Sequence, residues 1–285
     1  MPGNGPYLPD DADAERPRAP WILGIMLIAL VAVIGLAGIL QSSREAPVSH
    51  QTLHNGEPIP PVLWDRLTTI PAVANAGGSL FIVRPQVLSP PALGAPTVVY
   101  IGGEFCPYCA ALRWPLVIAL SHFGRLLGVE AMHSDNNPEE LYRDIPTVTF
   151  VHARYQSRLI SVRLVENWNR QGQILDPLTA EEAHLLDSYD TPPYVRGSAQ
   201  IPFLLIGGRY LFIGSPYLPT LLEQKRLSNV VAAIRNPLNP LGREVLSSAN
   251  EFSAAICLAD GNKPRAVCSE PFIEAAKVEL LASSP

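Results

Sequence analysis

Four cysteines occur in the chain, and two of them, Cys106 and Cys109, enclose Pro107-Tyr108 in a C-x-x-C unit. The unit follows an apolar run, Thr97-Val98-Val99-Tyr100-Ile101, that reads as a buried strand turning through Gly102-Gly103 into a helix. A cysteine at a helix start faces unpaired backbone N–H groups and the positive end of the helix dipole, and both favour thiolate over thiol. Cys106 is therefore expected to be the attacking sulfur. Cys109 lies about one turn along, where it can reach back and close a disulfide as the resolving sulfur, and Pro107 sets the first helical turn without forfeiting a needed donor. The chemistry this supports is thiol–disulfide exchange.

Two metal chemistries use similar pairs. A zinc knuckle would need a second close pair, but Cys257 and Cys268 stand in a C-x10-C arrangement, and Pro107 suits a helix start better than a metal loop. A soft ion such as copper(I) would draw on thioether ligands as well, and the chain has 3 methionines and no Met-rich stretch. No metal and no cofactor is expected. His122, His133 and His152 have no motif partners and read as ordinary surface or core histidines. Glu104 and Arg113 flank the C-x-x-C unit and could tune the thiolate, although charged residues near a helix start are more often solvated surface.

The elements that must position the cysteines follow from periodicity. A short amphipathic helix is predicted from Pro60-Pro61 to Ile70, and Phe81-Ile82-Val83 reads as a strand. From Ala110 to Leu127, Leu112, Leu116, Val117, Leu120 and Leu127 form a helical stripe, with Trp114 as core packing and Pro115 as a kink. Thr147–His152 and Leu159–Val165 alternate like a strand pair, an insertion or a sheet edge. Thr179 and Glu182 make a capping box for a helix that ends before Pro192. Ile201 to Gly214 is a hairpin turning at Gly207-Gly208, followed by a helix over 218–234. Cys257 and Cys268 bracket the turn cluster Asp260-Gly261-Asn262-Lys263-Pro264, which predicts a structural disulfide. The rival reading, a relay pair passing electrons to Cys109, lacks the helix-start geometry of Cys106.

Trp21 to Leu40 is a 20-residue run without charge, about 30 Å as a helix and so one bilayer core. It is longer than a typical secretory core, has no small-x-small cleavage site and follows a polar tail, which favours an uncleaved anchor over a signal peptide. Arg16 and Arg18 precede the run and Arg44 follows it, while all four cysteines lie beyond it, as an oxidising compartment would demand. The expected order is a disordered cytoplasmic tail (1–20), a transmembrane anchor (21–40), a polar linker (41–58) and an extracytoplasmic α/β domain with a C-terminal helical extension (59–285). A hydrophobic fraction of 47% is enough for a full core, and a net charge of −5 without a basic run argues against nucleic-acid binding.

The succession of strand, C-x-x-C helix, insertion, proline, hairpin and helix resembles the thioredoxin fold. The resemblance implies a central sheet flanked by helices and a cis-proline packed against the dithiol. Ile201-Pro202 matches that place, with Ile145-Pro146 a competing candidate. In the family this proline keeps a backbone edge open for an extended substrate and blocks metal binding. The chain is similar, more closely, to a microbial family of membrane-linked thioredoxin-like domains of unknown function. Its pattern looks like Gly103-Glu104-Phe105-Cys106-Pro107-Tyr108-Cys109-Ala110 running on to Arg113-Trp114-Pro115, then Tyr155-x-Ser157, Ile201-Pro202-Phe203, and Ala249-Asn250 through Ile256-Cys257 to Val267-Cys268. Pro107-Tyr108 also occurs in glutaredoxins, from which the chain departs by its anchor, its insertion and its distal cysteine pair. It departs from thioredoxins at Phe105, where they usually have tryptophan.

The functional expectation is a membrane-anchored thiol–disulfide oxidoreductase. Cys106 and Cys109 are its catalytic pair, Ile201, Pro202, Pro107 and Tyr108 its docking surface, and a protein or small-molecule thiol or disulfide its substrate, with a membrane redox partner also compatible. The alternative is a non-catalytic thioredoxin-like binding or assembly module whose Cys106–Cys109 disulfide is structural.

Overall fold

The computed structural model describes residues 52–72, 86–88, 97–197 and 200–282. The tail, the run at 21–40, most of the linker and the strand expected at Phe81-Ile82-Val83 lie outside the described residues. Among the described residues no helix is long and apolar enough to cross a membrane.

In chain order the elements are α1 (Pro61–Thr68), β1 (Gln86–Val87), β2 (Val98–Gly103), α2 (Pro107–Ser121), β3 (Arg125–Leu127), β4 (Glu130–His133), β5 (Pro146–Thr149), β6 (Arg154–Gln156) and β7 (Val162–Trp168). They continue with α3 (Ala180–Tyr189), β8 (Phe203–Ile206), β9 (Tyr210–Ile213), a 3-10 turn (Pro219–Leu221), α4 (Leu227–Ile234), α5 (Pro240–Asp260), α6 (Arg265–Cys268) and α7 (Pro271–Ala282). The central sheet runs β1-β9-β8-β2-β7, with β7 parallel to β2 and the other pairings antiparallel. The fold is mixed α/β around a mixed sheet. All of β2 is buried, which is why it reads as a continuous apolar run rather than an alternating one. Val99 and Ile101 join Val165, Phe203, Leu205, Leu211 and Ile213 in a core covered by Leu185 of α3.

Three local predictions appear intact. Thr179 caps α3 by accepting the Glu182 N–H at 3.2 Å, while the Glu182 carboxylate accepts the Thr179 N–H at 2.8 Å. Gly207 and Gly208 both take positive φ, 61° and 62°, the conformation a two-residue hairpin turn demands. Trp114 is fully buried, its indole N–H donating to the Pro146 carbonyl at 3.2 Å.

Other elements differ for identifiable reasons. Gly102 and Gly103 continue β2 rather than turn. Helix α2 passes unbroken through Pro115 but stops at Ser121, so Leu127 lies on β3 and not on the helical stripe. The Ala111 carbonyl, left without its helical donor by Pro115, accepts the Tyr217 hydroxyl at 2.7 Å. At Gly124 an added Cβ would fall 2.7 Å from the Tyr155 hydroxyl, so the chain crosses β6 where only glycine fits. The segments read as a strand pair separate: β5 pairs with β4, and β7 joins the central sheet beside β2. The helix expected over 218–234 is split, with Gln224 between the pieces at φ 56°. The end of the linker is not free, because Gly56 donates to the Ala131 carbonyl at 2.9 Å and Ala131 to that of Glu57 at 2.8 Å.

The C-terminal helices cover α2. Helix α5 packs against α2 and α7, and its Phe252 meets Phe212 of β9 edge-on at 4.9 Å. Gly261 ends α5 in the left-handed conformation at φ 78°, reversing the chain so that Cys257 and Cys268 form a disulfide across a Cα separation of 5.6 Å. The entropy of so short a closed loop is worth about 3 kcal/mol. Replacing both Cys257 and Cys268 with serine is expected to lower the urea unfolding free energy by about that amount. The alkylation rate of Cys106 should stay unchanged.

Candidate active site

Cys106 is the N-cap of α2, with extended backbone (φ −77°, ψ 121°), and its Sγ accepts the Cys109 N–H at 3.3 Å. A sulfur thus takes the place usually held by a serine or aspartate oxygen, and the donor it satisfies favours negative charge. On its other side Cys106 Sγ lies 3.7 Å from the Ile201 carbonyl, within reach of a thiol donor. The Ile201–Pro202 bond is cis, whereas Ile145–Pro146 is trans and opens β5. The order of strand and hairpin therefore brings together sulfurs and proline that are far apart in sequence.

The two thiols are free and differ in environment. Burial pushes the Cys106 thiol up, but hydrogen bonds from the Cys109 thiol and N–H, the positive charge of Arg113 and the Tyr108 N–H outweigh it and leave Cys106 below its ordinary value. Burial, then the hydrogen bond to and the charge of Cys106, push Cys109 well above its ordinary value. Cys106 is 4% exposed and Cys109 0%, so the sulfur nearer the surface is also the more acidic one. Among the docking candidates, Ile201 and Pro202 adjoin Cys106 and Pro107 is buried in the first turn. Tyr108 is exposed, its ring edge-on to Tyr142 at 5.7 Å. Phe105 packs edge-on to Trp168 at 6.4 Å.

Arg113 and Glu104 are not solvated surface. Arg113 is fully buried, its Nε and Nη2 donating to the two oxygens of Glu166 at 2.8 and 2.6 Å and Nη2 also to the Gly103 carbonyl at 2.9 Å. The carboxylate of Glu104 accepts the Thr149 hydroxyl at 2.7 Å, and Glu166 also accepts the Phe150 N–H at 3.3 Å. Burial pushes the Glu166 carboxyl up while Arg113 opposes the shift. Glu166, Thr149 and Tyr100 are site residues that sequence reasoning missed. The available signal was Arg113 itself, a lone charge between Ala110-Ala111-Leu112 and Trp114-Pro115-Leu116, which must be paired if that helix is buried.

The arrangement can hold a thiolate at a helix start, with a backbone edge beside it at Ile201 and a second thiol in reserve. A four-sulfur metal site drawing on the distal pair is closed off, because Cys257 and Cys268 are bonded to each other. With the chain reduced, Cys106 is expected to alkylate faster than Cys109 at pH 7, because a lowered pKa leaves more thiolate as the pH falls. Peptide mapping after brief iodoacetamide treatment across pH 5 to 9 measures both rates, and faster labelling of Cys109 would reverse the roles.

No curated protein and no solved structure gives a match to the chain. One family model does match, over residues 79–258, a span that holds the cysteine pair, Arg113, Glu166, Pro202 and the hairpin. The chain belongs to that family, described as the domain of unknown function DUF929.

Proposed function

We propose that the chain is a membrane-anchored, extracytoplasmic thiol–disulfide oxidoreductase with a thioredoxin-like domain. The observation that carries this reading is Cys106 at the N-cap of α2, with depressed pKa, Cys109 one turn behind it and the Ile201 carbonyl beside it. The sheet order and the proline ahead of the β8–β9 hairpin support the thioredoxin-like assignment. The Cys106 thiolate attacks a substrate disulfide, forming a mixed disulfide and releasing one substrate sulfur. Cys109 then attacks Cys106, forming the Cys106–Cys109 disulfide and releasing the second. Two electrons pass from the cysteine pair to the substrate, and reversal of the same steps oxidises a dithiol. Ile201 offers its backbone to an extended substrate, and Tyr108 flanks the same helix start.

The rival reading, a non-catalytic binding module, draws on the near-complete burial of both sulfurs. The redox properties of the pair separate the two: a catalytic disulfide equilibrates with a glutathione buffer, whereas a structural one resists it. Cys106→Ser is expected to abolish disulfide exchange with the full chain, and Cys109→Ser to trap the mixed disulfide on Cys106, detectable by mass spectrometry. Exchange that survives Cys106→Ser would sink the reading.

The membrane part of the proposal rests on the uncharged 20-residue run Trp21–Leu40 and on all four cysteines following it. A reporter fused after Pro285 is expected to be active only if it matures outside the cytoplasm. Cytoplasmic activity would reverse the orientation.

A further inference from the structure

Beneath the dithiol two buried polar atoms have no partner. Tyr100 Oη and Arg113 Nη1 make no hydrogen bond, although the other donors of Arg113 are held by Glu166 and Gly103. Buried donors without acceptors are costly and rare. Two of them together call for an acceptor that exists in only part of a working cycle.

Both atoms belong to residues that border Cys109. Tyr100 and Gly102 are two residues apart on β2 and share a face of the sheet. A Cβ added at Gly102 would collide with the Tyr100 hydroxyl and lie 3.2 Å from Cys109 Sγ, so hydroxyl and sulfur line the same gap, open only because the residue is glycine. Arg113 stands four residues after Cys109 on α2, on the same helix face. Its guanidinium carbon is 5.9 Å from the centre of the Tyr100 ring. The charged and titratable groups around Cys109 are Cys106 from the helix cap, Arg113 from α2 and Tyr100 from β2. Beyond them lie Glu166 from β7, already occupied by Arg113, and Glu104, bound to Thr149. Burial pushes the Tyr100 phenol well up, so it stays protonated and can only donate toward an anion.

The geometry points to Tyr100 and Arg113 as the donors that receive the sulfur of Cys109 when it is anionic, with Glu166 as the positioning residue that aims Arg113. This rests on the reading of Cys109 as the resolving sulfur and deepens it. In resolution the Cys109 thiol gives up its proton and its sulfur bonds to Cys106 Sγ. The bond from Cys106 to the substrate sulfur breaks, and the departing sulfur keeps the electron pair and ends with a proton. The cysteine pair is oxidised and the substrate reduced. When a substrate thiolate opens the disulfide instead, Cys109 is the leaving thiolate and the same donors stabilise it.

The test uses the full chain. Tyr100→Phe removes a hydroxyl that bonds nothing in the fold, so melting temperature should hold. Arg113→Lys keeps a charge but loses the forked donor. In a Cys106→Ser background, alkylation rate against pH reads the ionisation of Cys109 without turnover, and each variant should lower its ionisation constant about tenfold, the loss expected for one hydrogen bond to a charged group. With an aromatic disulfide as probe and Cys106 present, Tyr100→Phe should slow resolution about tenfold while the first attack by Cys106 keeps its rate. An unchanged Cys109 ionisation in both variants overturns the inference. If the unmodified chain forms no mixed disulfide with the probe, the oxidoreductase reading falls, and the ionisation of Cys109 still decides the present one.

Discussion

The two-pronged pair between Arg113 and Glu166 is the contact on which the site depends. It joins the middle of α2 to β7 with both side chains at zero exposure. Taking two charges out of water is costly, and the attraction offsets that cost only where geometry is good and spare lone pairs are satisfied. Here both guanidinium–carboxylate bonds are short, and the Gly103 carbonyl and the Phe150 N–H take up further capacity. A buried ion pair of this kind is weak support for stability as such and strong support for a fixed arrangement, since losing one partner strands the other and costs about 3–5 kcal/mol.

That arrangement fixes where the cysteines sit. Gly103, whose carbonyl Arg113 holds, is the last residue of β2 and stands three residues before the Cys106 cap, so one guanidinium ties the strand end, the helix body and β7 together. β7 in turn lies parallel to β2 and supplies the backbone that accepts the Glu104 N–H at Trp168, at 2.8 Å. Phe105 packs on the same tryptophan, closing the turn between strand and helix. Farther along α2, the carbonyl freed by Pro115 is taken by Tyr217, and the Ala110 carbonyl accepts the Thr147 hydroxyl at 2.9 Å. A helix carrying an internal proline is thereby held straight enough to remain one element, at the expense of committing a tyrosine and a threonine to its backbone.

What could be read from sequence was what physics decides locally. The C-x-x-C helix start, the Thr179–Glu182 box, the Gly207-Gly208 turn and the turn joining Cys257 to Cys268 each depend on a few adjacent residues whose conformational preferences agree. What escaped was set at a distance. Parallel pairing of β7 with β2 links segments some sixty residues apart, a reach at which alternation says that Leu159–Val165 is a strand but not which strand it meets. Glu166 could not be placed without that pairing, and Arg113 was misread because closeness to a helix start suggested solvent. Its apolar neighbours carried the truer signal. The short strand β3 escaped for another reason: Leu127 continues a helical period by chance, and Gly124 before it decides the matter by the close approach of Tyr155.

The two sulfurs, three residues apart, shift in opposite directions although the charge of Arg113 favours the thiolate of both, and burial and hydrogen bonding explain how. As a thiol, Cys106 donates toward Ile201 on the proline side; as a thiolate it can only accept, and its acceptor role faces the Cys109 N–H on the helix side. The ionised sulfur is therefore disfavoured by the carbonyl edge, which can only accept, and favoured by the helix start, which donates to it. For Cys109, burial outweighs the backbone hydrogen bond at Gly103 and the charge of Arg113, and it also gives its own thiol proton to Cys106, so its ionisation is held behind that of Cys106. In the proposed exchange, covalent occupation of Cys106 removes its charge, and with it the hydrogen bond and the repulsion that add to burial in keeping Cys109 protonated. The difference between the two sulfurs is in this way a property of the fold: capping favours the Cys106 thiolate, and on the proposed exchange its consumption lifts part of the penalty on Cys109.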